Sequence, residues 1–352
     1  MLDQVDDPSP GRVEPSPPDA VISANHWVPH EIVLRDAWFP LAHAYQLRDK
    51  VLRRAVFSQP YYLWREDGRA IAAEFHPSQR PDRGPSPFVD RAGRYPVIEH
   101  YGYIWGWFGD PDRADRRHLP CIPFFPPDGD LPRHMRGTVR YDCAAALTLE
   151  NLIDLSHADI LHADTVGDEK SEREELEVFH TSETVTLVRH CYKKSVAPLM
   201  RWFGGVRAST QDIRQVIHIY ARSHCALIYS RFRPGFDVPI FHPSLPETRD
   251  RTRQDVAFNL TECKTPFRFA LPKAGYHISA QDNAMTGPQS SRYAFDTDRR
   301  DLHSRHDAAG QRYRILMQEL AARQAQGDFT YRETLSDDPS ELLGIAPGTY
   351  RF

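Results

Sequence analysis

Short runs of alternating hydrophobic and polar residues fill the chain from about Ala37 to Pro111, a pattern typical of β-strands. The stretch AVFSQPYYLWREDGRAIAAEF predicts a hairpin, because two β-rich runs meet at Asp67-Gly68, a pair that favours a tight turn. The stretch RYPVIEHYGYIWGWFGDP predicts a second pair of aromatic and β-branched runs, closed at Gly109. Proline- and glycine-rich text separates the two pairs, so we expect a small β domain with a connecting loop.

The pattern changes after the proline-rich bridge LPCIPFFPPDGDLP. Leu147 to about Ala163 predicts a buried helix, and AGQRYRILMQELAARQAQG predicts a closing helix that ends at a glycine. Between them, three stretches predict long strands: SETVTLVRHCYKKSV, DIRQVIHIYARSHCALIYSRFRPG and DVAFNLTECKTPFRFALP. This arrangement indicates an α+β fold, with helices packed on an antiparallel sheet. The predicted divisions are a disordered tail over 1–30, a small β domain over 31–135, a larger domain over 136–330 and a tail over 331–352.

Composition narrows the classes of function. The 352 residues leave room for two domains, and 40% hydrophobic with 26% charged residues is typical of a folded globular chain. A net charge of −4 gives no electrostatic reason to expect nucleic acid as a partner. No run approaches the roughly 18 apolar residues of a membrane span, and the acidic N-terminus lacks the apolar core of a secretory signal. Five widely spaced cysteines, an odd number, favour a reducing compartment, which predicts the cytoplasm.

The stretch ENLIDLSHADILH places acids and two histidines in the first predicted helix. Glu150, Asp154 and His157 are spaced i, i+4 and i+7, so they share one face of a regular helix. His162 follows His157 by five positions and is turned away by about 140°, so one ion binds both imidazoles only if the helix ends or bulges between them. Buried carboxylates and imidazoles need partners, and a divalent cation satisfies them together. The pattern favours a metal site over the alternative, an amphipathic helix that happens to carry histidines.

The spacing E-x3-D-x2-H-x4-H resembles the mononuclear-iron motif of the Rieske non-haem iron oxygenases, a ring-hydroxylating and demethylating family. The resemblance implies that His157 and His162 bind Fe(II) and that a later carboxylate completes a facial triad. It implies that Asp154 links the iron to an electron-donating cluster, while Glu150 and Asn151 support the ligands. WFPLAHAYQL and YPVIEHYGYIWGWFGDPDRAD are similar to segments of that family's Rieske domain. The larger domain would then be a helix-grip catalytic domain.

The third ligand is expected late in the catalytic domain. The segment AQDNAMTGPQSS resembles the family's acid-and-glutamine segment, which implies Asp282 as the ligand and Gln289 as the glutamine. Gly287-Pro288 interrupts the helix-favouring sequence that is usual in that segment. Asp296 and Asp298 are lower-ranked candidates, and a solvated loop acid is the alternative interpretation of Asp282.

The small domain departs from the family. There the family carries CxH and CxxH, which ligate a [2Fe–2S] cluster, whereas this chain has EFHPSQRPDRGPSPFVDRAGRYPV, with His76 and no cysteine. We therefore predict a β scaffold without a cluster and Fe(II) as the cofactor of this chain. Electrons would come from a cluster-bearing Rieske protein or oxygenase subunit and its reductase.

Three hypotheses for function follow from the resemblance and the residues. The leading one is an oxygenase component that hydroxylates or oxidatively demethylates a small aromatic or heterocyclic substrate with dioxygen, in a trimer-based homo- or hetero-oligomer. The alternative is a non-catalytic subunit of a hetero-oligomeric Rieske oxygenase. A zinc-type hydrolase ranks lower, because the sequence offers no general base beyond the acids of the site.

Overall fold

The computed structural model of the protein describes residues 23–25, 27–79, 84–132, 135–167, 171–296 and 299–352. The strands are β1 Ala37–His43, β2 Leu52–Val56, β3 Gln59–Glu66, β4 Arg69–Ala73, β5 Arg94–Tyr95, β6 Val97–His100, β7 Tyr103–Phe108, β8 Val139–Tyr141, β9 Arg173–His180, β10 Thr184–Ser195, β11 Thr210–Tyr220, β12 Cys225–Arg233, β13 Asp237–Pro243, β14 Leu245–Thr248, β15 Arg251–Gln254 and β16 Ala257–Phe258. The α-helices are α1 Ala145–Ile153, α2 Ala158–Leu161, α3 Pro198–Trp202, α4 Thr265–Phe295, α5 Ala308–Ala325 and α6 Ser340–Leu343.

The N-terminal part contains two small antiparallel sheets, in the orders β1-β7-β6 and β2-β3-β4-β5. The predicted hairpin is confirmed: β3 pairs with β4 through Asp67 and Gly68, whose φ angles of 49° and 78° are those of a two-residue turn that matches the twist of the strands. The turn between β2 and β3 binds the larger part of the protein, since the amides of Phe57 and Ser58 donate to the carbonyls of Pro246 (2.7 Å) and Glu247 (2.9 Å).

The larger part is built on a six-stranded antiparallel sheet in the order β16-β13-β12-β11-β10-β9. Two of the three predicted long-strand stretches form its centre, as β10 and the β11–β12 hairpin. Helices α1 and α5 cover one face, where Leu149 and Ile153 of α1 meet Leu316 of α5 and Leu187 of β10 in one core. The predicted α+β class with an antiparallel sheet is therefore confirmed.

The third predicted strand is wrong for most of its length. Only the two residues of β16 pair with the sheet, and α4 starts at Thr265, with a proline in its first turn where the missing N–H costs nothing. Helix α4 also continues through Gly287-Pro288, which the sequence predicted as an interruption. Side chains on both sides of the proline bind the segment before α1: Asn283 accepts from the Asp142 amide (2.7 Å) and Ser290 from the Ala144 amide (3.3 Å).

The two predicted tails differ in how far the structure describes them. Residues 1–22 lie outside the described residues, but Trp27 is fully buried and packs edge-on against Tyr313 of α5, with ring centroids 6.0 Å apart. At the other end, Leu335, Leu343 and Ile345 are buried in one core with residues of the β1-β7-β6 sheet and β12. Both chain ends therefore carry core residues beyond the predicted boundaries at 30 and 331. In the part that the structure describes, no helix has the length and apolar character to cross a membrane.

Candidate metal centre

The predicted helix at the histidines is two helices with a break between them. Helix α1 ends at Ile153, and Asp154 then turns the chain, because its Oδ1 accepts from the amide (2.9 Å) and the hydroxyl (2.6 Å) of Ser156. Helix α2 covers only Ala158–Leu161, so His157 and His162 flank its two ends. The ends of this short helix supply the irregularity that convergence of the two imidazoles requires.

The two histidines converge on Asp282 of α4. The Nε2 atom of His162 lies 3.0 Å from Asp282 Oδ1, and the Nε2 atom of His157 lies 3.4 Å from the same oxygen. The two imidazole rings are 5.3 Å apart at 81°. Metal–ligand bonds of about 2.1 Å at right angles separate neighbouring ligand atoms by about 3 Å. The distances from Asp282 to the two imidazoles fit neighbouring ligands, and all three candidate ligand atoms lie within 4.8 Å of one another. We call His157, His162 and Asp282 the triad; among the described residues it is the group of His, Cys, Asp and Glu that could hold a metal ion.

Gln281 orients His162, and the sequence analysis missed it. Its Oε1 lies 2.9 Å from His162 Nδ1, while its Nε2 points to Asp164 Oδ1 at 3.5 Å, which fixes the direction of the amide. Nδ1 of His162 then donates to Gln281, which leaves the lone pair of Nε2 facing a carboxylate oxygen. Two facing lone pairs repel unless a proton or a cation lies between them. The donor set therefore fits a bound cation.

The pKa shifts agree with this arrangement. Burial would raise the pKa of Asp282, but hydrogen bonds and charge from His157 and His162 outweigh it and hold the pKa well below its usual range. For His162 burial acts to lower the pKa, and the contacts with Asp282 and Gln281 outweigh it, so the pKa is raised. The Asp282 carboxylate is thus ionised at neutral pH, as a metal ligand must be.

The acids predicted around the triad fall in two places. Asp154 Oδ2 lies 3.9 Å from His157 Nδ1, and Asn151 lines the same cavity as the triad. Glu150 instead faces a separate polar pocket, where its carboxylate pairs with Arg314 at 2.5 Å. The predicted common face of Glu150, Asp154 and His157 does not form, because α1 ends before Asp154. The structure thus corrects the assignment of Glu150 as a support of the ligands: it belongs to an ion cluster with α5.

The other late candidates also lie elsewhere. Gln289, the predicted glutamine, contacts the hydroxyl of Tyr293 at 3.4 Å and lines the polar pocket. Asp296 follows α4 and accepts from Arg292 at 2.9 Å. Asp298 lies outside the described residues. Asp282 is therefore the late acid that reaches the histidines.

Replacement of Glu150 by Gln is expected to cost stability and leave the metal centre intact. The buried Arg314 would lose its charged partner on α1, which should lower the free energy of unfolding by about 1–3 kcal/mol, measured by denaturant titration. Glu319→Gln is the matched control, because Glu319 pairs with Arg312 on the surface of the same α5 helix (3.1 Å), and its loss should stay within about 1 kcal/mol. Metal loss from E150Q at unchanged stability would instead support the role that the sequence predicted.

A cavity of about 210 Å³, the triad cavity, opens beside the three side chains. Its wall is mostly apolar, with Leu155, Ile213, Ile228, Phe232, Val238, Ile240, Phe258 and Leu271 among the lining residues. A dry cavity of about 150 Å³ is enough for a benzene ring. The triad cavity therefore has room for one substituted aromatic ring next to the triad.

The loop between β4 and β5 is closed by hydrogen bonds. The Glu74 carboxylate is 5% exposed and accepts from the side-chain amide of Gln59 (2.9 Å) and the backbone amide of Ser86 (3.0 Å). His76 is half-buried, and its Nδ1 lies 2.7 Å from the hydroxyl of Ser78. No cysteine occurs between residues 44 and 120 of the sequence. The described part of this loop is thus tied to β3 through a buried carboxylate.

The fold and the triad define the class of protein. The chain belongs to the Rieske-type oxygenase components: the family model described as vanillate O-demethylase oxygenase C-terminal domain matches residues 141–323, more than half of the chain.

Individual relatives carry the comparison further. The oxygenase component of dicamba O-demethylase from Stenotrophomonas maltophilia is 27% identical over 179 residues, which are 41% of this chain and 52% of that protein. The iron-sulfur subunit of the toluene-4-sulfonate monooxygenase system from Comamonas testosteroni is 28% identical over 119 residues, 31% of this chain and 34% of that subunit. These alignments thus span a third to a half of the curated relatives. The crystal structure of dicamba monooxygenase bound to 3,6-dichlorosalicylic acid matches the fold with a TM-score of 0.71 at 19% identity, covering 84% of this chain and 99% of that one.

Proposed function

We propose that this chain is a non-haem Fe(II) oxygenase component that hydroxylates or oxidatively demethylates a small aromatic or heterocyclic substrate. The observation that carries the proposal is the convergence of two imidazoles and one carboxylate on the wall of an apolar cavity. A site with two histidines and one carboxylate on one side leaves positions open for dioxygen and is typical of Fe(II) oxygenases. Iron bound there supplies the activation of dioxygen.

The residues of the chain have separate parts in this proposal. The triad holds the iron, Gln281 keeps the Nε2 atom of His162 free for it, and the apolar wall binds the ring and excludes water. The names of the relatives support an aromatic substrate, since they specify vanillate, dicamba and toluene-4-sulfonate. The match of the family model to 141–323 supports the proposed catalytic domain over 136–330.

We also propose that the electrons come from a separate cluster-bearing partner. The support is the absence of cysteine from the loop region of the small domain and the hydrogen-bonded closure of that loop by Glu74. Asp154 is the proposed link to the partner, because it lies 3.9 Å from His157 and also lines the polar pocket. A trimer-based assembly would bring the donor to this side.

Asp154→Asn is expected to slow donor-dependent turnover by about ten- to a hundredfold and to leave the iron content unchanged. The amide keeps the size of the side chain but removes the charge that is proposed to face the donor. Product formation with the partner and iron per chain check this prediction. Asp159→Asn is unsuitable as a control, because Asp159 pairs with the buried Arg189 and Lys194. Asp142→Asn is the matched variant, since the Asp142 side chain is 71% exposed, and it should behave as wild type. Equal rates for D154N and wild type would contradict the link.

Hydrogen peroxide tests the oxygenase proposal without the donor, because it brings both the oxygen atom and the electrons. An aromatic methyl ether and peroxide give a phenol, formaldehyde and water in equal amounts. The Fe(II)-loaded chain should convert a methoxybenzoate or methoxybenzamide probe to formaldehyde, and the iron-free chain should not. An iron-loaded chain that forms no product from any probe would instead favour the alternative, a non-catalytic subunit.

A further inference from the structure

Two cationic side chains of β10 lie buried in the wall of the triad cavity. Arg189 and Lys194 have side chains 6% and 5% exposed, and both line the cavity together with Asp159 of α2. Burial of an ammonium group among apolar residues costs free energy unless charged or polar partners replace water. A lysine in this wall is therefore costly for the fold.

A β-bulge in β10 turns Lys194 into the cavity. Cys191 pairs with Ile213 and Lys194 with Gln211, so β10 has one residue more than β11 between these pairs. Lys193 absorbs the irregularity with a φ angle of 47°, and its side chain is 66% exposed. In a regular strand Lys193 would share the inward side with Cys191. The bulge gives that side to Lys194, and bulges commonly re-aim a side chain next to a functional site.

Arg189 already holds α2 in place. Its guanidinium donates to the Leu155 carbonyl (2.9 Å), to Asp159 Oδ2 (2.8 Å) and to Glu174. Within the part of the chain that the structure describes, Lys194 pairs with the other oxygen of Asp159, at 2.7 Å. An ammonium group has three donors, so one carboxylate oxygen does not use them all. Lys194 thus contacts α2 through one donor and retains capacity to bind an acceptor in the cavity.

The ionic cluster at this part of the cavity is balanced, because Arg189 and Lys194 contribute two positive charges and Asp159 and Glu174 two negative ones. Glu174 contacts Arg189, so the donors left over for a ligand are those of Lys194, which lines the cavity. The other lining carboxylate, Asp282, is bound by the two imidazoles of the triad. We propose that Lys194 forms an anion subsite, which binds the carboxylate of an aromatic acid and orients the ring towards the triad. This inference rests on the proposed oxygenase function and specifies its substrate class.

Binding of a matched pair of ligands tests the subsite. The probes are 4-methoxybenzoate and its neutral isostere 4-methoxybenzamide, titrated by calorimetry into the full-length wild-type chain, Lys194→Met and Lys193→Met. Charge-assisted hydrogen bonds are the strong ones, so wild type should bind the acid at least about tenfold more tightly than the amide. K194M should lose this preference and keep its affinity for the amide, which reports that the cavity is intact. K193M, at the exposed neighbour paired with Glu172, should match wild type.

Each outcome decides the proposal. Undiminished acid binding by K194M, or no binding of the acid to wild type, overturns it. Should K194M not fold, Lys194→Gln and Lys194→Arg replace it: the glutamine variant should lose the preference for the acid and the arginine variant should retain it. Iron content is measured on the same samples. A chain that prefers the acid but binds no iron would keep the anion subsite and refute the proposed oxygenase function, so the two failures are distinguishable.

Discussion

Replacement of His162 by Ala is expected to abolish retention of Fe(II) and turnover together. His162 is 2% exposed, with Nδ1 bonded to Gln281 at 2.9 Å and Nε2 directed at Asp282 at 3.0 Å. Loss of residues that merely orient a ligand costs ten- to a hundredfold in affinity or activity, so loss of the ligand itself should cost more than about a hundredfold. Iron per chain after anaerobic reconstitution, and peroxide-dependent formation of formaldehyde, are the measurements.

His190→Ala is the matched control for this variant. His190 lies on β10 and stacks on Tyr192 (ring centroids 4.1 Å apart), away from the triad. It should bind iron as wild type does, which separates loss of a ligand from a general effect of removing an imidazole. Iron retained and turnover preserved in H162A would show that the triad is not the metal centre.

The second large effect is a strict requirement for a cluster-bearing donor. Each oxygen atom inserted from dioxygen consumes two electrons and two protons, and the proposal places no cluster in this chain to relay those electrons. With NADH and a flavin reductase alone, the iron-loaded chain should form fewer than about one product per chain. Addition of a cluster-bearing oxygenase component should restore multiple turnover. The peroxide reaction is the control, because it needs no donor and should proceed in both cases.

Sustained turnover with the reductase alone would contradict the proposal that the cluster lies on a separate polypeptide. It would not contradict the proposal that the triad binds the iron. D154N sharpens this test, since it should affect only the donor-dependent reaction. If D154N slowed the peroxide reaction equally, Asp154 would act through His157 rather than through the donor.

The sequence predicted the histidine pair and the condition for its convergence, because both depend on local geometry. His157 and His162 are five positions apart, a spacing at which a regular helix cannot bring both imidazoles to one ion, and the structure ends α1 at Ile153. Where the break falls could not be predicted, since it depends on hydrogen bonds from Ser156 to Asp154. The same break removes the common face that made Glu150 a candidate.

Contacts between distant segments of the chain determine the features that local sequence patterns did not predict. Gly287-Pro288 predicted an interruption of the helix after Asp282, yet α4 continues through it. The contacts of Asn283 and Ser290 with the segment before α1 come from residues about 140 positions earlier, which no local pattern contains. Gln281 carried one local signal, its place directly before Asp282, but its bond to His162 is visible only in three dimensions. The position of Lys194 in the cavity wall could not be predicted either, because it depends on the β-bulge in β10.

The stoichiometry of iron and acid-labile sulfide, measured on the wild-type chain and on Asp282→Ala after anaerobic reconstitution with Fe(II) and sulfide, tests the central claim most directly. One iron and no sulfide per wild-type chain, with the iron lost in D282A, is the predicted result. Two further irons accompanied by sulfide, or iron retained by D282A, would contradict a single ferrous site at the triad with the cluster on another polypeptide.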